Sequence, residues 1–300
     1  MDIAITGSSG LIGSALTDGL RAQGHRVLRV VRRRSEHPAS DEALWDPETG
    51  TIDAAALEGI DAVVHLAGEG IGEKRWTPDQ KDRIRTSRTR GTALLASTLA
   101  ALDRPPKRLL SGSAIGIYGD TGQRATDETG RVGTGFLPDL CVEWEAAAAP
   151  ASDAGITTAF LRTGVVLSAK GGALAKQLLP FKLGLGGRSG SGRQFLSWIT
   201  IDDHVAATSW LIGDGTAIAG PVNLTAPEPV TNGQFAKALG RALHRPTSVI
   251  PMFGPRLLLG RELADTLLLE SQRIVPGVLE REGFTFAHPR LDEALAHVLA

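Results

Sequence analysis

The chain has 300 residues, of which 42% are apolar and 22% charged, and this composition suits one large α/β domain or a large and a small one. Its formal net charge of −1 creates no global field that would favour nucleic acid or a membrane surface. The single cysteine, Cys141, excludes a disulfide within the chain and is typical of a reducing compartment.

The first predicted element is a strand, a glycine turn and a helix. An apolar run at 3–5 precedes the sequence T-G-S-S-G-L-I-G at 6–13, and residues 11–23 carry apolar side chains at helical spacing. Glycine tolerates the backbone of such a turn, and the N–H groups and dipole at the start of a helix attract an anion. Together with a second strand at 27–31, the G-x-x-G-x-x-G spacing predicts the pyrophosphate site of a dinucleotide-binding fold. A glycine turn without a ligand is the alternative.

The end of the second predicted strand is basic. In NAD-binding proteins an Asp or Glu near this point holds the ribose 2′-hydroxyl, but neither occurs between Gly24 and Ser35. Arg32, Arg33 and Arg34 stand there instead, and a guanidinium pairs with the 2′-phosphate of NADP through two hydrogen bonds. The pattern predicts a preference for NADP(H) as the cofactor. Arg32 and Arg33 are expected to be the main residues responsible for this preference. A solvated basic run is the alternative.

Two further strands are predicted to end at the cofactor. Residues 62–66 have the pattern of a buried parallel strand and run into Ala67-Gly68-Glu69, and residues 108–119 form a strand that runs into small residues. In an open sheet the ligand lies outside the carboxyl ends of the strands, so both ends are expected to border it. Glu69 is a candidate ligand of the cofactor, with a surface carboxylate as the alternative.

A long helix is predicted over residues 79–102. Ile84, Arg88 and Gly91 share one face of it, so Arg88 is expected to point at the cofactor. The remaining predicted elements are helices at 140–150, 257–269 and 291–299, a helix capped by Thr231 that runs to His244, and a strand at 157–167.

The domain organisation is predicted from the glycine-rich residues 168–194. They surround a helical patch and suit a mobile lid over a substrate, with simple disorder as the alternative. We expect a dinucleotide-binding Rossmann domain over 1–165, with chain returns near 195–225, and a smaller substrate and C-terminal domain over 166–300.

These motifs resemble the extended short-chain dehydrogenase/reductases, the group of the sugar-nucleotide epimerases. The likeness covers roughly 1–245 and includes H-L-A-G at 65–68 and the Ile-Asp-Asp turn at 201–203. A closer resemblance is to an atypical branch with a small C-terminal domain. Its motifs are W-D-P-x-x-G-x-I-D (45–53), S-A-x-G-x-Y-G (113–119), W-E (144–145), L-R-T-G-V-V-L (161–167), G-S-G-R-Q-x-x-S-W-I (190–199) and S-Q-R-x-x-P (271–276). The resemblance implies an α/β fold with a Rossmann-type doubly wound parallel sheet.

The resemblance does not extend to the catalytic pair of the superfamily. That pair is Y-x-x-x-K on a helix, where the lysine lowers the tyrosine pKa so that the phenol acts as acid or base. With Glu145 aligned to the glutamate that commonly follows the motif, the tyrosine position holds Leu137 and the lysine position Cys141. Arg88 replaces an asparagine, and Leu196 replaces an arginine that grips a nucleotide-sugar phosphate. The atypical branch shares these losses.

Three other side chains are candidate catalytic groups. Ser113 matches the carbonyl-orienting Ser or Thr of the superfamily, and Tyr118 lies near the same strand end, with structural packing as its alternative. Cys141 is a candidate proton donor, with a small buried hydrophobe as its alternative. The predicted cofactor-binding residues are Gly7, Ser9, Gly10, Leu11, Ile12, Gly13, Arg32, Arg33, Leu66, Ala67, Gly68, Glu69, Arg88, Ser111 and Val165. The seven histidines lack metal-ligand spacing, which predicts no metal site.

The implied function is that of an NADP(H)-dependent oxidoreductase or epimerase for an unidentified carbonyl or hydroxyl compound, including a sugar-nucleotide-like one. The alternative is a non-catalytic NADP(H)-binding sensor or regulatory protein. We expect a small-molecule substrate, no nucleic-acid or membrane partner, and a monomer or homodimer. The chain begins directly with a strand, and no apolar run approaches the ~20 residues that span a bilayer, so a cytoplasmic location is expected.

Overall fold

Strands and helices alternate along the first half of the chain. The computed structural model describes residues 1–33, 41–213 and 217–300. The strands are β1 (Asp2–Thr6), β2 (Arg26–Val31), β3 (Glu42–Asp46), β4 (Thr51–Ile52), β5 (Ala62–His65), β6 (Arg108–Ala114), β7 (Thr157–Thr163), β8 (Val165–Leu167), β9 (Gly187–Ser189), β10 (Phe195–Leu196), β11 (Trp198–Thr200), β12 (Gly220–Leu224), β13 (Val230–Thr231) and β14 (Ser248–Ile250).

The α-helices are α1 (Leu11–Ala22), α2 (Pro78–Ala100), α3 (Phe136–Ala146), α4 (Ala149–Asp153), α5 (Gly172–Lys182), α6 (Ile201–Ile212), α7 (Asn232–Ala242), α8 (Phe253–Leu259), α9 (Arg261–Leu269), α10 (Gly277–Arg281) and α11 (Leu291–Leu299). Two 3₁₀ turns, Ala55–Leu57 and Ile115–Tyr118, follow β4 and β6. Among the described residues, none of these helices has the length and apolar character needed to cross a membrane.

Eight strands form one mostly parallel sheet in the order β12-β7-β6-β5-β1-β2-β3-β4. Among the described residues of this sheet, only the pair β3 and β4 is antiparallel. From β1 the sheet grows first through β2 and β3 on one side, and then through β5, β6 and β7 on the other. This is the strand order of a doubly wound Rossmann fold, so the predicted fold class is confirmed. The order reverses between β1 and β5, which is where such sheets bind ligands.

Both faces of the sheet are buried under helices. Successive residues of β1 point to opposite faces, so Ile3 and Ile5 pack in one core cluster with α1 and α6, whereas Ala4 packs in the other. The second cluster contains Leu95 and Leu99 of α2. The apolar side chains of β1 are covered on both faces of the sheet. A ligand can therefore approach β1 at its ends but not from either face.

Helix α2 begins and packs as its sequence predicts. The hydroxyl of Thr77 accepts a 3.2 Å hydrogen bond from the N–H of Gln80, and proline at position 78 suits the first turn. Ile84, Arg88 and Gly91 are all buried on one face, which confirms the predicted face.

Short strand pairs and helices after β7 build a third core cluster. β8 pairs with β11, β9 with β14, and β10 with β13, while β12 returns to the central sheet beside β7. α5, α7 and α11 pack around the fully buried Trp198. The predicted cap of α7 is present, since Thr231 and Gln234 form a reciprocal capping box.

Three predicted elements are each split in two. The strand expected at 157–167 breaks at Gly164, where a Cβ would lie 2.8 Å from Thr225 Cγ2 and the chain changes partner from β12 to β11. The helix expected at 257–269 breaks at Gly260, whose φ of +84° ends α8. The helix expected at 140–150 divides into α3 and α4, with Pro150 in the first turn of α4.

Candidate functional site

The turn between β1 and α1 has no room for side chains at its glycines. Gly7 has a φ of +68°, and a Cβ there would lie 2.8 Å from the backbone N of Ala67. A Cβ on Gly13 would lie 2.2 Å from the carbonyl oxygen of Gly7, and one on Gly10 would lie 3.3 Å from the same oxygen. The backbone can pass this closely only because these residues are glycine. α1 starts without a side-chain cap, so an anion can bind its first N–H groups.

A buried hydrogen-bond chain fixes the turn against β5. The hydroxyl of Thr6 accepts from the N–H groups of Leu66 and Ala67 at 3.1 and 3.3 Å, so its own proton is donated to Nδ1 of His65 at 2.7 Å. Nε2 of His65 therefore carries the ring proton and donates to Thr92 at 3.0 Å. Burial, with a smaller effect of the charge of Arg88, lowers the pKa of His65 from 6.5 to about 4. The ring is neutral at pH 7.

The guanidinium of Arg88 lies against the segment that follows β5. Its Nη1 donates to the carbonyl of Glu69 at 2.9 Å, and its Cζ lies 3.2 Å from the position of a Cβ on Gly68. The group also stacks 4.9 Å from the ring of Trp144. Burial lowers the pKa of Arg88 to about 10, so it remains charged at pH 7. Its buried Nε has no hydrogen-bond partner among the described residues.

Arg32 and Arg33 follow β2 and are both exposed. β2 pairs with β1 in parallel, with Thr6 opposite Val30, so the arginines follow a strand end beside the glycine turn. Arg34 lies outside the described residues. The carboxylate of Glu69 accepts from Gln80 at 3.3 Å and lies 3.7 Å from the ammonium of Lys74.

Ser113 begins a buried polar network at the end of β6. Its hydroxyl donates to Oε1 of Glu145 at 2.6 Å. Arg162 on β7 donates to both oxygens of Glu145 at 2.8 and 2.9 Å. Burial lowers the pKa of Arg162, but its hydrogen bonds and ion pair with Glu145 raise it by more, so the net pKa lies above the ordinary value. The network therefore contains a buried, matched pair of charges beside the Ser113 hydroxyl.

The same network engages Tyr118 from both sides. Its hydroxyl accepts from Nη1 of Arg162 at 2.8 Å and donates to Oδ1 of Asn223 at 2.8 Å. Asn223 in turn donates to the carbonyl of Val275 at 2.9 Å, and its N–H donates to Glu128 at 2.9 Å. Burial raises the pKa of Tyr118 above its ordinary value. The Tyr118 hydroxyl thus links the turn after β6 to Arg162 on β7 and to Asn223 on β12. Asn223 continues the chain of hydrogen bonds to Val275 in the C-terminal segment.

Cys141 lies inside the protein on α3. Its thiol makes a weak 3.8 Å hydrogen bond to the carbonyl of Ala114. Burial, followed by the charge of Glu145, raises the pKa of Cys141 to about 12. One turn earlier, Leu137 is half-buried, and a Cβ on Gly116 would lie 3.4 Å from its Cβ.

The other residues predicted to bind the cofactor differ in how far they are buried. Leu11 lies against the glycine-rich segment, since a Cβ on Gly171 would be 3.3 Å from its Cδ1. The hydroxyl of the fully buried Ser111 has no hydrogen-bond partner among the described residues. Ser9 is exposed, and Leu11, Ile12, Leu66, Ala67 and Val165 are half-buried.

Several residues of the site had no role in the sequence predictions. His65, Glu145 and Arg162 lie within the motifs H-L-A-G, W-E and L-R-T-G-V-V-L, which supplied the resemblance without assigning the polar side chains. Thr92, the partner of His65, is 27 residues away from it, and Asn223, the partner of Tyr118, is 105 residues away, so these pairs are recognised only in the folded chain.

Comparison with known proteins finds relatives along nearly the whole chain. The profile of the NAD-dependent epimerase/dehydratase family matches residues 3–224, and that of a domain of unknown function (DUF1731) matches residues 250–298. The epimerase family protein Mb2239 of Mycobacterium bovis is 48% identical over 297 residues, which cover 98% of this chain and 96% of that protein.

Solved structures agree. The human epimerase family protein SDR39U1, crystallised with NADPH, is 34% identical, covers 99% of both chains and superimposes with a TM-score of 0.90. A nucleoside-diphosphate sugar epimerase of Corynebacterium glutamicum is 38% identical with a TM-score of 0.81, over 100% of this chain and 58% of that one. The resemblance inferred from the motifs is thereby confirmed, and the chain belongs to the NAD-dependent epimerase/dehydratase family.

Proposed function

We propose that the chain binds NADP(H) at the β1–α1 turn and uses it as an oxidoreductase or epimerase. The observation that carries the proposal is the fit of the glycine turn to a diphosphate. Cβ atoms on Gly7 and Gly13 would fill the space that a close backbone turn needs, and the uncapped start of α1 faces the point where the strand order reverses. The NADPH in the crystal structure of human SDR39U1 supports the choice of ligand.

Preference for the 2′-phosphorylated cofactor rests on Arg32 and Arg33. Both side chains are exposed, so they can bind a phosphate without rearrangement of the surrounding protein. No carboxylate stands between Gly24 and Ser35 to hold an unphosphorylated ribose and repel the phosphate. Arg88, with one unpaired donor, supports the cofactor from the β5 side of the crevice.

Ser113 is the polar group that this proposal places next to the substrate. Bound NADP(H) would supply or accept a hydride there. The proton of the Ser113 hydroxyl is held by Glu145, so its oxygen is free to accept a hydrogen bond from a substrate hydroxyl. The arrangement favours a compound presented as an alcohol.

A nucleotide-sugar epimerase is a narrower version of the same proposal. The Corynebacterium relative supports it by its description. The side chains Leu137, Cys141 and Leu196 oppose it, because apolar groups stand where that chemistry uses a tyrosine, a lysine and a phosphate-binding arginine.

A non-catalytic NADP(H)-binding sensor or regulator is the second candidate. It is favoured by the state of the other candidate acids. The hydroxyl of Tyr118 is engaged by Arg162 and Asn223, and burial raises the pKa of Cys141 to about 12. A protein in which neither group moves a proton still binds the cofactor.

Two measurements test these alternatives in sequence. Titration of the purified chain with NADPH and NADH should show the tighter affinity for NADPH, and no binding of either would refute the proposal. A panel of alcohols, carbonyl compounds and sugar nucleotides is then followed by NADPH absorbance and by chromatography, which also detects an epimer formed without net redox change. Turnover supports the enzyme, whereas tight binding with no product across the panel supports the sensor.

The same proposal includes the cellular setting. A net charge of −1 and a single buried cysteine suit a cytoplasmic monomer or homodimer with a small-molecule substrate and neither a nucleic-acid nor a membrane partner.

A further inference from the structure

Asp202, His288 and His297 meet at the surface of the protein, where Asp202 and His297 are exposed and His288 is half-buried. We propose that these three side chains bind a divalent transition-metal ion of the Zn²⁺ class. Their ligand atoms all lie within 4.8 Å of one another, and Nε2 of His297 is 2.8 Å from Oδ2 of Asp202. The two imidazole rings stack with their centroids 4.1 Å apart and an interplanar angle of 22°. Among the described residues, this trio is the group of histidine and carboxylate side chains that converges in this way.

The donor set suits zinc. Imidazole nitrogen and carboxylate oxygen bind Zn²⁺ at about 2.0–2.2 Å, and two donors on a tetrahedral ion are then about 3.3 Å apart. The 2.8 Å separation of His297 and Asp202 needs to open only slightly to reach this value. Two histidines and one carboxylate leave a fourth position for water, as in sites that keep an open coordination position.

The fold positions the ligands before any ion binds. Asp202 lies in the first turn of α6, and the neighbouring Asp203 is buried. The carboxylate of Asp203 accepts hydrogen bonds from the backbone N–H groups of Ala287 and His288 at 2.7 and 3.0 Å, which places His288 beside α6. His297 comes from α11, whose Leu295 is fully buried in the third core cluster. An ion would therefore join α6, the segment before α11, and α11 itself.

No sequence motif reveals this site. Asp202 and His297 are 95 residues apart, and the histidines are nine positions apart without helical spacing between them. The prediction of no metal site relied on local spacing, whereas the trio forms only when the C-terminal segment folds onto α6.

The test uses the full chain without an affinity tag, dialysed against a chelator and kept free of NADPH. Calorimetric titration with Zn²⁺ alone should give one ion per chain. Co²⁺ in its place should give the visible absorption of a tetrahedral nitrogen–oxygen site. The substitutions His288→Gln, His297→Gln and Asp202→Asn should each weaken Zn²⁺ binding by more than about tenfold. Loss of a group that only supports a metal ligand already weakens binding by about tenfold, and loss of a ligand itself should cost more.

Matched substitutions separate this site from general surface binding. His25→Gln removes another half-buried histidine, and Glu293→Gln removes an exposed carboxylate of α11. Both should keep the affinity of the parent chain. Zn²⁺ should raise the melting temperature of the parent and of both control variants, but not of the three site variants, and melting in chelator shows that each variant is folded.

Two results would overturn the proposal. One is a parent chain that shows neither stoichiometric Zn²⁺ binding nor a shift in melting temperature, in which case Asp202 and His297 form an ordinary surface hydrogen bond. The other is binding of unchanged affinity in all three site variants. Neither result bears on the cofactor site, because the titration contains no nicotinamide nucleotide.

Discussion

The hydroxyl of Ser113 donates its proton to Glu145 over 2.6 Å, and the same carboxylate is held by Arg162 on the opposite side. A serine that orients a carbonyl must donate to it, and this one has its proton directed elsewhere. The arrangement makes Ser113 an acceptor and makes Glu145 the centre of the polar network. The hydrogen bonds of both Ser113 and Arg162 therefore depend on one carboxylate.

Glu145→Gln should destabilise the protein by about 3–5 kcal/mol, because an amide cannot accept from both guanidinium nitrogens and leaves the charge of Arg162 unpaired. Urea unfolding measures the change. Glu143→Gln is the matched control on the same helix: its ion pair with Arg85 is exposed, so its loss should cost less than about 1 kcal/mol. Equal losses in the two variants would contradict the role of the network.

Replacing Arg32 and Arg33 together by alanine should weaken NADPH binding by about tenfold or more and leave NADH binding unchanged, because only the former carries the 2′-phosphate. Fluorescence titration of both nucleotides gives the ratio of affinities. Arg90→Ala, an exposed arginine on α2, serves as control. A parallel loss for both nucleotides would assign the arginines to general attraction instead.

Gly13→Ala should abolish cofactor binding and destabilise the chain by about 1–3 kcal/mol or more, since the new Cβ would lie 2.2 Å from the carbonyl oxygen of Gly7. Gly254→Ala on α8 is the control, because a Cβ there meets no atom within 4 Å. Thermal melting and NADPH titration should separate the variants. Normal NADPH affinity in Gly13→Ala would mean that the turn does not hold the diphosphate.

The protein should lose stability as the pH falls from about 6.5 to about 4. His65 stays neutral when folded, with a pKa of about 4, but takes up a proton near pH 6.5 when unfolded, so acid favours the unfolded state. The difference corresponds to about 3 kcal/mol once the pH is below both values. His65→Gln keeps a donor and an acceptor but does not titrate. The parent should therefore lose more stability than this variant between pH 7 and 4.5, and parallel losses would contradict the assignment.

Cys141 should resist alkylation in the native state. Burial raises its pKa to about 12, so almost no thiolate is present at neutral pH, and the sulfur is not accessible. Mass spectrometry after treatment with iodoacetamide should show modification only when denaturant is present. Cys141→Ala should retain NADPH binding and any turnover that the parent shows. Rapid modification of the folded chain, or lost turnover in the variant, would restore the thiol as a proton donor.

The sequence alone predicts the sheet, the glycine turn and α2, because their signals are local. Hydrophobic periodicity and the spacing of Gly7, Gly10 and Gly13 are properties of short segments. The breaks at Gly164 and Gly260 were missed because apolar residues stand on both sides of each glycine, whereas tertiary contacts or a positive φ decide where each element ends. The local signals were enough to predict a parallel sheet, but they were not enough to predict where a strand is interrupted.

The polar network was beyond prediction for a different reason. Arg162 looks like one more charged residue in a strand until the fold places it between Glu145 and Tyr118. The trio of Asp202, His288 and His297 likewise depends on how the end of the chain returns. A buried charge is recognised only by its partners, and these come from other elements.

Glu128 receives the N–H of Asn223 from β12 and also that of Val278, at 2.9 and 3.1 Å, and the side chain of Asn223 binds the carbonyl of Val275. The boundary between the two matched families is thus unsuitable as a cutting point for expression of a shorter fragment. A piece ending near residue 249 would keep every strand of the main sheet, yet would expose the edge of β12 and leave a carboxylate without its donor at position 278. A shortened version of this protein should therefore retain the segment that contains Val275 and Val278.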